Sequence, residues 1–269
     1  MSEEELSVEK FIEDLKSPED YTRIIAQRKL FKIGVNNVGF IIQKLPNEPV
    51  DVQCVICQVL GLAKNPIAFE PIVKLFEHEN PTLRCYAAGA LGRMGDQRAL
   101  IPLKLALSEE YEEDPSVRAE VATALGRLGI SDAIEPLIDS LQNDRDKEVR
   151  SKAAFALGLL GDNKAVEPLI ERIGYDFYVQ RNAAIALGQL KDERAIEPLV
   201  RLLSDQILGE IAYYALASID PSFLEKSKDE IIKMYKKTDE IEEKAEDRDI
   251  VIVLDDLLKK FQDKNTEEK

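Results

Sequence analysis

The chain has no tryptophan, one histidine and three cysteines among its 269 residues. Three cysteines in a chain this long do not make a disulfide framework and fit a reducing interior. Aromatic residues are only 6% of the total, as expected where closely packed helices are filled by Ala, Leu and Ile. No apolar run approaches the roughly 18–20 residues that span a bilayer. The N-terminal Met-Ser-Glu-Glu-Glu-Leu has no basic segment followed by an apolar one, so no signal peptide is expected and the chain reads as cytoplasmic. Cations are also short, with 36 Lys and Arg against 51 Asp and Glu and a formal net charge of −15. No Lys/Arg cluster outweighs the carboxylates, which argues against nucleic acid and anionic membranes as partners. A basic partner suits this charge, which equally serves to keep a long exposed array soluble.

What the chain does have is repetition. Residues 151–173, SKAAFALGLLGDNKAVEPLIERI, read as two short helices joined by a tight turn. Ala153, Ala154, Ala156 and Leu157 load the first helix with apolar groups, and Gly158 and Gly161 are read as loosening its end. Asp162 is placed to cap the second helix. Pro168 is tolerated in the first turn of that helix, where amides lack partners anyway. Leu169, Ile170 and Ile173 then form an apolar stripe at helical spacing. Neither helix is long enough to stand alone. Four relatives of this unit occur in the same chain. In all five copies a Gly and a Pro lie ten residues apart: Gly61 and Pro71, Gly92 and Pro102, Gly126 and Pro136, Gly158 and Pro168, Gly188 and Pro198. The preceding leucines, Leu60, Leu91, Leu125, Leu157 and Leu187, recur at intervals of about thirty, inside the window for helical solenoids.

The Val-Arg pairs before the first helix (Val117 and Arg118, Val149 and Arg150), the Ala-Leu-Gly, the Gly-Asp turn and the Glu-Pro-Leu resemble the HEAT-like repeat of the phycobilisome-lyase type. The resemblance covers roughly residues 21–224. It implies an all-α fold, an α-α superhelix of about seven helical pairs, right-handed, with second helices on the concave side. Its family name implies pigment attachment, while most proteins with such repeats look like interaction scaffolds.

Three regions are expected. Residues 1–45 form an N-terminal helix and an atypical capping repeat. Here Ser7 is a candidate cap for a helix carrying Val8, Phe11, Ile12 and Leu15, and Ser-Pro-Glu-Asp at 17–20 breaks the chain. Residues 46–204 hold five regular repeats. Residues 205–269 hold a degenerate repeat, with Ala215 and Leu216, a turn at Asp220 and Pro221, and a helix through Ile231, Ile232 and Tyr235. A capping helix with Ile250, Val253, Leu254, Leu257, Leu258 and Phe261 on one face comes next, then a frayed tail.

Candidate chemistry is sparse. Cys54 and Cys57, with Cys85 and His78, number four zinc-ligand types, but register places the cysteines in slots that other repeats fill with Ala or Ser. HEAT-like enzymes of the deoxyhypusine hydroxylase kind bind two irons through His-Glu pairs on first helices. The matching positions here are Cys85 and Tyr86, Ala119 and Glu120, and Ser151 and Lys152. No phosphate-cradling Gly loop, Ser-His pair or Cys-His pair stands out, every Gly being read as ending a helix. No metal, cofactor or catalytic residue is therefore expected.

Arg84, Arg118 and Arg150, and Asp96, Asp162 and Asp192, recur at fixed positions, where bonds across the joining turns are the expected role. Two irregularities break the repeat. One is an acidic insertion, Ser-Glu-Glu-Tyr-Glu-Glu-Asp, at 108–114. The other places Tyr175, Phe177 and Tyr178 in a usually charged loop, either as a partner's anchor or as packing under the next helix. On each second helix the residue before Pro and the third after it share a face. Glu135, Asp139, Glu167 and Glu171 occupy those slots in the middle repeats. The expected function is a protein-protein interaction scaffold in which these four carboxylates line an acidic concave face and receive a basic segment of a partner, with Tyr175, Phe177 and Tyr178 at its edge. The alternative is a bilin lyase or isomerase subunit, as the family name suggests.

Overall fold

The computed structural model describes residues 2–174, 176–226 and 228–238. Within them the chain is helical throughout, and no strand occurs among the described residues. A leading helix, α1 (Glu3–Asp14), is followed by pairs α2 (Asp20–Ile33) and α3 (Val38–Lys44), α4 (Val50–Ala63) and α5 (Phe69–Lys74), and α6 (Pro81–Met94) and α7 (Leu100–Ala106). The array continues with α8 (Pro115–Leu128) and α9 (Ile134–Asn143), α10 (Lys147–Leu160) and α11 (Val166–Ile173), α12 (Phe177–Leu190) and α13 (Ile196–Arg201), and α14 (Gly209–Ile219) and α15 (Lys228–Thr238). These are the helical pairs expected of an α-α solenoid. The expected capping helix at 250–261 lies outside the described residues.

The turns after α6 and α10 share one construction, and the turn after α12 differs in having Lys191 at φ +55° in place of the glycine. In α10 the last residue gives way to Gly161 at φ +71°, the left-handed conformation that ends a helix cheaply when no side chain is present. The Asp162 side chain then accepts from the Lys164 amide at 2.8 Å and starts a short 3-10 turn before α11. Asp96 and Asp192 repeat that bond with Arg98 and Arg194, both at 3.0 Å. At the N-terminus the cap is Ser2, not Ser7. Ser2 and Glu5 form a reciprocal capping box, and Ser7 sits inside α1, donating to the Glu3 carbonyl. The Ser-x-x-Glu spacing at residues 2–5 carries this signal.

The glycine of Leu-Gly does something other than end a helix. Gly126 lies inside α8, and a Cβ built on it would stand 2.7 Å from the Ala156 Cα of the next first helix. Gly92 meets Ala124, and Gly61 meets Ala90, at that same 2.7 Å. The missing side chain lets two helix backbones touch, so it sets the spacing between repeats rather than loosening an end. Gly158, inside α10 against Ala186, follows the same rule.

This contact decides the bend of the array. First helices pack on first helices from α4 to α14, whereas second helices meet substantially only at α9 with α11 and α13 with α15, among the described residues. A stack with one tightly spaced layer curves toward that layer. The second helices, expected on the concave side, therefore form the outer layer. Between the layers one hydrophobic core runs from Val8 to Tyr235, including the fully buried Leu60, Leu91, Leu125, Leu157 and Leu187. Tyr213 and Phe223, packed edge to face at 5.6 Å, fill it near the end of the described chain.

Candidate functional site

The recurring arginines hold the repeats together, as their register implies. Arg118, 3% exposed, donates to the carbonyls of Glu112 and Glu113 before its own helix, at 2.9 and 3.0 Å. Its other nitrogens pair with Asp144, in the loop before the next first helix, at 2.8 and 3.0 Å. Arg84 does the same with His78, Glu79 and Glu112, and Arg150 with Asp144, Arg145 and Asp176. The planar guanidinium suits this because one face of its fork reads carbonyls while the other binds a carboxylate. The acidic insertion is partly absorbed by this chain of clamps. Glu112 is buried against Arg84, and Glu109 reaches Arg145 at 3.4 Å and Arg118 at 3.8 Å. Tyr111, Glu110 and Glu113 remain exposed.

The three thiols are held in their protonated form. Cys57 is fully buried, and burial pushes its pKa up. Burial and nearby carboxylates raise Cys54 and Cys85 to about 11, so none is a ready thiolate near neutral pH. No group of three or more His, Cys, Asp and Glu side chains is disposed to hold a metal among the described residues.

Glu135, Asp139, Glu167 and Glu171 all lie exposed on α9 and α11, which sit side by side. The carboxylates are not left alone. Glu135 lies 3.9 Å from Lys164, and Glu167 pairs with Arg194 at 3.0 Å. Gln142 donates to Glu171 at 3.2 Å, and Asn143 donates to Asp139 at 2.7 Å. The basic residue two after the turn Asp reaches back to the Glu-Pro carboxylate of the preceding repeat. The register of Lys164 and Arg194 carries that pairing, which the sequence reasoning missed. The same register shows a break: in α7 the two slots hold Ile101 and Leu105, 62% and 48% exposed.

At the aromatic edge, Phe177 and Tyr178 are 49% and 52% exposed, so they do not tuck under α12. Their rings meet edge to face at 5.8 Å, and the Lys147 ammonium sits 3.8 Å from the Tyr178 ring centre. Asp176 caps α12 through the Tyr178 amide. Burial alone would raise its pKa, but the Arg150 and Tyr178 hydrogen bonds outweigh that and hold it below the usual range. Tyr175 lies outside the described residues.

Comparison with known proteins fits this architecture. The HEAT-repeats family matches residues 39–113 and 106–177, and the PBS lyase HEAT-like repeat matches 179–205. No curated protein matches. Among solved structures, the complex of CpcE and CpcF of phycocyanin lyase from Nostoc sp. PCC7120 is similar at 21% identity and a TM-score of 0.50, over 86% of this chain and 94% of that one. YibA of Escherichia coli is similar at 16% identity and a TM-score of 0.60, over 96% and 97%. Human deoxyhypusine hydroxylase aligns at 20% identity over 94% and 96%, with a TM-score of 0.39. At these identities the likeness is one of fold.

Proposed function

The chain belongs to the HEAT-repeat family, and from that premise we propose that it is a binding protein whose outer layer receives a basic segment of another protein. The observation that carries this reading is the set of four exposed carboxylates, Glu135, Asp139, Glu167 and Glu171, on two adjacent helices of a chain with net charge −15. Like charges gathered on one surface do little for stability, and their partners here form exposed pairs that contribute little. A basic segment would displace Lys164 and Arg194 at small cost and meet all four. Phe177 and Tyr178 supply an exposed apolar anchor at the start of α12. The layer is the outer one, so the segment lies across the array rather than inside its curve.

A second reading, a subunit of a bilin lyase, has specific support of its own. One repeat matches the PBS lyase type, and a phycocyanin lyase complex shares the fold. These likenesses favour it at least as well as they favour a scaffold without chemistry. The side chains favour binding alone, since the three thiols, their pKa values raised by burial, are poor nucleophiles. In both readings the chain binds another protein.

Two measurements separate them. A partner recovered by cross-linking in native lysate should lose affinity steadily as salt rises from 50 to about 500 mM, because exposed charge pairs are screened beyond roughly 10 Å. Salt-independent binding removes the acidic-face reading. Mixing the chain with a free bilin, alone and with that partner, should leave the visible spectrum unchanged. A shifted, stable absorbance band would establish the lyase reading instead.

A further inference from the structure

The inner layer carries a second surface of opposite character. Three successive first helices, α10, α12 and α14, present the same two slots to solvent, two residues before the repeat leucine and two after it. The first slot holds Phe155, Ile185 and Tyr214, and the second holds Leu159, Gln189 and Ser218. Tyr214 is 41% exposed and Leu159 43%, while Phe155 and Ile185 are partly exposed. Between α12 and α14 lies an open groove of about 540 Å³ lined by Ile185, Gln189, Lys191, Ile211, Tyr214 and Ser218. The corresponding slots of α8 hold Thr123 and Arg127 and those of α6 hold Gly89 and Arg93, so the apolar run stops before α8 and only Leu62 of α4, 49% exposed, resumes it.

The helices here are already fixed to one another without the exposed side chains. Asn182 donates to the Ser151 hydroxyl at 2.9 Å and to its carbonyl at 3.1 Å. Gly188 meets Ala215 backbone to backbone, a built Cβ falling 2.8 Å from the Ala215 Cα. Packing thus does not require Leu159 to be apolar. Lys191 lines the groove and Arg181 stands one helical turn before Ile185, while Glu210 stands one turn before Tyr214. Arg181 and Lys191 are exposed and make no ion pair among the described residues, although acids outnumber bases in the chain. Lys152 pairs only with Glu148, at 3.3 Å and largely in solvent.

We infer that this inner groove is a second protein-binding surface, and that its occupant is a partner segment bearing apolar side chains flanked by carboxylates. Apolar groups enter between α12 and α14, and the carboxylates meet Arg181 and Lys191. The two layers then select segments of opposite charge, so one partner chain does not compete for both faces.

The test uses the full chain and two labelled twelve-residue peptides, identical in their leucines at helical spacing but carrying Glu or Lys elsewhere. The Glu peptide should bind, and binding should fall at least tenfold in Leu159→Asp/Tyr214→Asp and several-fold in Arg181→Glu/Lys191→Glu. Ile101→Asp/Leu105→Asp, on the outer layer, should leave it unchanged. All six side chains are at least partly exposed, and an unchanged thermal transition identifies variants that remain folded. Equal binding of the Glu peptide by all the variants would overturn the inference. So would a Lys peptide lost with the same pattern, or wild-type dimers that Tyr214→Asp dissociates, since a second copy would then be the occupant. The outer-face reading stands or falls separately, on Glu135, Asp139, Glu167 and Glu171.

Discussion

Asp192 shows how a single repeated residue works in this array. Its carboxylate accepts the Arg194 guanidinium and then the Arg194 amide, and the two bonds hold its pKa down at about 2, against an ordinary 3.8. A carboxyl with a depressed folded pKa adds stability that is fully present above the unfolded value and is lost as pH falls through the folded one. The gap in melting temperature between the wild type and Asp192→Asn should therefore be constant above about pH 5 and close between roughly pH 4 and 2. A gap that is flat across that range would show that the turn does not depend on the charge. The related turns at Asp96 and Asp162 were readable from the sequence, because Gly-Asp followed by a helix start has few other meanings, and Asp192 keeps their register after Lys191. The cap at Ser2 was equally readable, but the apolar run beginning at Val8 favours Ser7 on pattern alone.

At the scale of the helix, glycine sets the spacing between repeats and arginine ties their loops together. Adding a methyl group to Gly126 drives it into the Ala156 backbone, which cannot swing aside as a side-chain tip could. Gly126→Ala should cost about 1–3 kcal/mol in denaturant unfolding, the usual range for overpacking. Gly174→Ala, where nothing lies within 4 Å of the added carbon, should stay within about 0.5 kcal/mol of wild type. Equal costs would mean that the helices do not touch at this point. The ten-residue Gly–Pro spacing located five of the seven pairs, and the register of Arg118 gave its clamping role. The purpose of the glycine was hidden because it is a contact with the neighbouring repeat. Nothing in the five residues around Gly126 records what lies about thirty positions on.

For the whole molecule, the solenoid was legible because periodicity needs no knowledge of three-dimensional detail. Its bend was not. Curvature depends on which layer packs more tightly, and that is set by Gly–Ala contacts between repeats. Placing the second helices inside came from family resemblance, and the backbone contacts reverse it. The acidic slots Glu135, Asp139, Glu167 and Glu171 are exposed, as their register implies, while their partners Lys164 and Arg194 lie one repeat further along. The inner groove went unread because Phe155, Leu159, Ile185 and Tyr214 look like ordinary helical core until burial separates them from Leu157 and Leu187.

The central claim is that the outer carboxylates bind a basic segment of a partner protein. Its most direct test is the affinity of the recovered partner for a variant with Glu135, Asp139, Glu167 and Glu171 all changed to Lys. All four side chains are exposed, so the variant should keep its helical circular dichroism and melt within a few degrees of wild type. Its affinity should fall at least tenfold, about 1.4 kcal/mol or more. A folded variant that binds as tightly as wild type would contradict the account and leave the stripe as a solvated face.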